Sequence, residues 1–223
     1  MAVSYYGAGA QGVGTTSVAP AYPSNPPAGS IFILGVVNKY PTNGPTAPGG
    51  NWNLIGQVSG GAGSAGADSG SVYVTAYYAI SDGTETGTVT VNIPSGNSAV
   101  GVIWCLNRET QSTGWKAPVA ISGADSTAGT AYAAAISSDV GDTRVHDGFF
   151  IITGLNSNLY TSATPLFGVP GITLAGASIK TDLGTAQGDN TRIIGVYDLC
   201  ASGRHPSGSN FSYSHTCSGT AGN

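Results

Sequence analysis

Nowhere in the 223 residues does an apolar pattern of helical period run three turns without a Gly or Pro cutting it. Such a chain has to bury its apolar groups on strands. The nearest exception is "STAGTAYAAAISSDV" (126–140). Its alanines favour a helix, but Gly and β-branched residues flank them, and we read it as a strand with small side chains. The stretches 30–40 and 99–107 are apolar on both faces, as central strands are. "SVYVTAYYAI" (71–80) and "GTVTVNI" (87–93) alternate, the latter with Val89, Val91 and Ile93 on one face. Further strands are expected at 51–59, 147–156, 171–181 and 191–200, with a first one near 12–19. Spacers such as "APAYPSNPPAG" and "SGGAGSAGADSG" have turn and loop compositions. About nine to eleven strands so spaced predict an all-β fold: an antiparallel β-sandwich, jelly-roll-like, with long Gly/Pro-rich loops. The expected organisation is an N-terminal arm (1–12), one β-sandwich domain (13–200) and a C-terminal appendage (201–223).

Charged residues make up 8% of the chain, so Ser, Thr, Asn and the 35 glycines must supply most of the polar surface. The apolar share of 40% is enough to fold around. The net charge is -4, and no Lys/Arg cluster stands ready to neutralise phosphates, so no nucleic-acid partner is expected. The start, "MAVSYYGAGAQGVG", lacks the basic and apolar regions of a signal peptide. No run approaches the roughly 18 apolar residues of a membrane span. The expectation is a product of the cytoplasm with no membrane partner.

"YYAISDGTETGTVTVNIP" (77–94) sets Asp82 and Glu85 three residues apart in a chain with few charges. They are either an acid–base pair or the polar corner of a hairpin. Asp82-Gly83 is a strong hairpin dipeptide, because Gly accepts positive φ and Asp can bond its own turn. Catalytic pairs usually face each other across a cleft. We therefore expect a solvated turn between strands 71–80 and 87–93.

Other chemical motifs are weak. "GAGAQG" (7–12) matches the dinucleotide fingerprint in letters, but lacks the preceding strand and following helix that would hold a phosphate. No G-x-S-x-G elbow occurs, and His146-Asp147 reads as the start of a strand rather than part of a triad. Asp139, Asp142 and Asp147 cluster loosely without the spacing of a calcium loop. Cys105 lies in an apolar strand and reads as a buried thiol. Cys200 and Cys217 flank a polar segment and are candidates for a disulfide. With His205 and His215 they also have the ligand types of a zinc site, though without its short C-x-x-C knuckle. No catalytic, cofactor-binding or metal residue is assigned. Trp52 and Trp104 read as core. Trp115 and Tyr160, in polar loops, are candidates for contact with a glycan or a protein partner. Without a secretory signal, the sequon at Asn210 carries no weight.

The succession "PAGSIFILGVV", "PGGNWNLIGQ", "VYVTAYYAISDGTETGTVTV" and "AVGVIWCLNR" resembles small β-sandwich structural proteins of tailed bacteriophages, of tail-associated or capsid-decoration type. Trp52, Ile55, Gly56, Asp82, Gly83, Glu85 and Gly87 fall on the shared pattern, which covers roughly residues 27–107. The chain departs from it with Gly-Asn-Trp for Gly-Trp and with Ser30 after Gly29, where Asp is usual. The resemblance implies a non-catalytic virion part made in the host cytoplasm. Its partners would be other capsid or tail proteins, with a homo-oligomer expected. A carbohydrate-binding module or host-receptor adhesin, bound to a cell-surface glycan, is the alternative. A glycan-cleaving enzyme would need a carboxylate pair facing a groove.

Overall fold

The computed structural model describes residues 3–39, 44–60, 71–94, 96–108, 115, 117–118, 131–136, 148–155, 161–162, 166–168, 178–186, 191–199 and 211–218. They contain strands and no helix, and every strand pair is antiparallel. The expected all-β, antiparallel sandwich is found.

A central sheet has the order β1-β8-β4-β6-β5, built from β1 (Val3–Ala8), β4 (Ile31–Lys39), β5 (Asn53–Gly60), β6 (Val72–Ile80) and β8 (Ala99–Arg108). A short β2 (Gly12–Gly14) continues the β1 edge along the other half of β8. All nine residues of β4 are buried, which explains a stretch apolar on both faces. Residues 3–8, expected in an N-terminal arm, belong to this sheet as β1, with Tyr5 opposite Leu106 and Ala8 opposite Trp104.

One face of the central sheet is covered by a ribbon of β3 (Ser17–Val18) and β7 (Val91–Asn92), together with irregular chain. Phe32, Leu34, Val36, Tyr77 and Ile103 pack there against Val18, Trp52, Val89, Val91 and Ile93. Full burial of Phe32, Leu34 or Ile103 contributes about 1.5–3 kcal/mol each. The opposite face is covered by a second sheet, β10 (Gly148–Leu155), β14 (Thr191–Leu199) and β13 (Ser178–Thr185), in the order β10-β14-β13. Ile33, Val37, Val102 and Trp104 meet Phe150, Ile152, Leu183, Ile193 and Tyr197.

Trp104 decides the fit between the two sheets. Its ring lies beside Gly35 on its own sheet and Gly195 on the other. A Cβ on Gly35 would come within 2.7 Å of the indole, and a Cβ on Gly195 also within 2.7 Å. Facing sheets usually pack about 10 Å apart, so a Trp on the inner face needs neighbours without side chains. Its indole N–H donates to Thr181 Oγ1 at 3.1 Å, so no polar atom of the ring is left unpaired. Phe150 packs on it with ring centroids 4.9 Å apart.

Most strands fall where the sequence places them. The stretch near 12–19 is two short strands, β2 and β3, which pair with different partners. The stretch 87–93 does not form a hairpin with β6: only Val91–Asn92 is strand, and it pairs with β3. Its alternation is still real, because Val89, Val91 and Ile93 all point into the core. The strand expected at 171–181 is found later, as β13, with residues 171–177 outside the described set. The small-residue stretch 126–140 contributes β9 (Ala131–Ile136). It pairs with β15 (Phe211–Ser218), which lies in the segment read as an appendage and also pairs with β11 (Thr161–Ser162) and β12 (Leu166–Gly168).

Candidate functional site

The carboxylates of Asp82 and Glu85 sit where the chain leaves β6 and crosses to the ribbon. Ser81 pairs with the chain just before β4: its N–H donates to Ser30 O at 2.9 Å, and Gly29 N–H donates to Ser81 O at 2.8 Å. The chain then turns sharply, with Gly83 at φ +88° and Gly87 at φ +75°, a region where a side chain is strained. Glu85 folds back onto this turn. Its Oε1 accepts the Asp82 N–H at 2.8 Å, and its Oε2 accepts the Ser81 hydroxyl at 2.7 Å and the Gly83 N–H at 3.2 Å. Asp82 Oδ1 accepts both the Thr84 N–H, at 2.8 Å, and the Thr84 hydroxyl, at 2.6 Å. That is an Asx-type turn, in which a side-chain oxygen takes the place of a backbone acceptor.

The two carboxylates therefore hold the corner's own donors instead of facing each other over a groove. The bonds from Thr84 keep the Asp82 carboxyl below the usual carboxylate range. A general acid or base at neutral pH requires a shift the other way, toward the working pH. Nearby, burial pushes the Tyr22 phenol up, a hydrogen bond with Trp52 opposes this, and the charges of Glu85 and Asp82 add to the rise. Tyr22, Phe32 and Trp52 form an aromatic group under the corner, with Tyr22 and Phe32 centroids 5.1 Å apart.

Trp115 is half-buried at the same end of the molecule, against the second-sheet side of the core. Its indole N–H donates to Gly29 O at 2.7 Å, and the Arg108 guanidinium lies 5.0 Å from the ring centroid. The ring, a candidate for contact with a glycan or a protein partner, is engaged by the fold on one face and at its polar atom. Trp52 and Trp104 are core, as expected. The Cys105 thiol is buried, and burial pushes it up to about 11, so it stays protonated and unreactive at neutral pH.

"GAGAQG" carries no phosphate cradle. The chain runs from β1 into β2, and Gly9 and Gly12 let residues 19–22 cross close by: a Cβ on Gly9 would fall 1.8 Å from Ala21 O. Tyr160, Cys200, His146, His205, Asp139, Asp142 and Asp147 lie outside the described residues, and the side chains of His215 and Cys217 are not described. Among the described residues no group of three or more His, Cys, Asp or Glu could hold a metal. No described helix is long and apolar enough to cross a membrane, which leaves β-barrels untouched.

Three polar ties are not visible in the sequence: Trp104 to Thr181, Tyr77 Oη donating to Pro45 O at 2.8 Å, and Tyr197 Oη donating to Val3 O at 2.8 Å. Each joins residues far apart in the chain, and no local spacing signals them. Comparison with family models, curated proteins and solved structures finds no match.

Proposed function

We propose that the protein is a non-catalytic bacteriophage virion component, a capsid decoration or tail part, that assembles through protein–protein contacts. One observation carries the reading. The seven residues on the shared phage pattern all have positions that serve the fold. Trp52 is core, Ile55 and Gly56 lie at the register shift of β5, and Asp82, Gly83, Glu85 and Gly87 build the corner. A pattern made of turn and core positions suits a part whose role is shape.

The edges of the central sheet suit assembly. The outer strands of its order are β1 and β5. Large apolar side chains are exposed at both edges: Tyr6 and Val13 on one, Leu54 (55% exposed) on the other. Exposed edges with apolar side chains invite pairing with another chain. The test is mass spectrometry of purified particles made by the genome that encodes the chain. The protein should be a stoichiometric component; its absence from intact particles would refute the proposal.

A further inference from the structure

We propose that ordered water is built into the ribbon-side core at the Lys39 end of β4, bridging Asn38 and Thr75. Both residues are fully buried, and among the described residues Asn38 Nδ2, Asn38 Oδ1 and Thr75 Oγ1 find no hydrogen-bond partner. The register places them together. Val36 is directly opposite Thr75, and Asn38 is directly opposite Tyr73, so Asn38 and Thr75 are diagonal neighbours on one face of the β4–β6 pair. It is the face of Leu34, Val36 and Tyr77, turned toward the ribbon. On the other side of β4, Asn38 and Val36 stand opposite Ala99 and Gly101, with Val18 and Pro20 packed over Gly101.

Chain from the loop before β5 roofs this end. Gly44 lies against the Gln57 side chain, Pro45 O takes the Tyr77 hydroxyl, and Thr46 N–H donates to Asn92 O at 2.9 Å. Buried polar groups are almost always hydrogen-bonded, and where protein supplies no partner an internal water commonly does, with about three bonds of its own. One water accepts from Asn38 Nδ2 and donates to Thr75 Oγ1; a second donates to Asn38 Oδ1. Flipping the amide leaves the argument unchanged, because both its atoms lack partners. Ser98 Oγ is also buried and unpartnered, but the alternation of β8 assigns it to the opposite face.

A crystal structure at high resolution tests the site on the unaltered protein. Density for water within hydrogen-bond distance of both Asn38 and Thr75 Oγ1 is expected. A dry contact, or side chains turned onto protein partners, would overturn the proposal. Water–protein NMR gives a second readout: the Asn38 side-chain amide protons should show cross-peaks to long-lived water in the wild type. The isosteric Thr75→Val should weaken or abolish them. Wild-type amide protons with no such cross-peaks would contradict the site, as would cross-peaks unchanged in a folded Thr75→Val.

Discussion

The two faces of the central sheet are closed by different means. Toward β10, β14 and β13 the closure is sheet on sheet, and its fit depends on one large ring between residues without side chains: Trp104 with Gly35 and Gly195. Toward the β3–β7 ribbon the cover is mostly irregular chain. There the space is filled by Tyr22, Phe32 and Trp52 and fixed by hydrogen bonds such as that from Tyr77 to Pro45. The first face tolerates little change in volume, because two regular surfaces must match along their length. Irregular chain can shift to follow its neighbours, so the second face depends more on individual ties.

This contrast predicts a ranking of effects. The largest belongs to Trp104→Ala, which should cost about 3–5 kcal/mol in urea unfolding. Trp52→Ala, under the more adaptable cover, should cost clearly less; equal costs would erase the distinction between the faces. Next comes Gly154→Ala on β10. The new Cβ would meet Val74 at 2.6 Å and Val37 at 2.9 Å. A loss of about 1–3 kcal/mol is expected. The control Gly49→Ala, with nothing within 4 Å, should be close to neutral.

On the ribbon side, Tyr77→Phe should cost about 1 kcal/mol by removing a buried hydroxyl from Pro45 O. Burial also pushes the Tyr77 phenol up to about 12, so its ultraviolet titration should be delayed well beyond that of a free tyrosine.

The smallest effect concerns the corner. The folded Asp82 carboxyl titrates lower than in the unfolded chain, so its contribution is present in full above the ordinary carboxylate pKa. It is lost as pH falls through the lowered value. Asp82→Asn should therefore flatten the acid limb of the denaturation midpoint plotted against pH, below about pH 4. An unchanged acid limb would mean that Asp82 does not hold the turn.

The same contrast explains what the sequence could reveal. Strands β4 and β8 were legible because burial on both faces leaves a continuous apolar run. Asp82-Gly83 was legible as a corner because turn chemistry is local. The partner of the segment after that corner was not. Val89, Val91 and Ile93 show the right alternation, but alternation does not say which strand lies alongside, and β3 does. Residues 3–8 are expected in an N-terminal arm, yet they pair with β8 as β1. Just after it, Gly9 and Gly12 are places where backbone crosses backbone, against residues 19–22. For Trp115 the sequence offers only a polar loop, since nothing nearby in it announces Gly29 or Arg108 as neighbours.

The account depends on the second sheet closing over Trp104, and a double-mutant cycle between Trp104 and Gly195 tests that contact most directly. Gly195→Val alone should cost about 1–3 kcal/mol, because its side chain enters the space of the ring. In a Trp104→Leu background much of that cost should disappear, giving a coupling of about 0.5–3 kcal/mol. Strictly additive costs would contradict the account, because they would place Gly195 away from the ring.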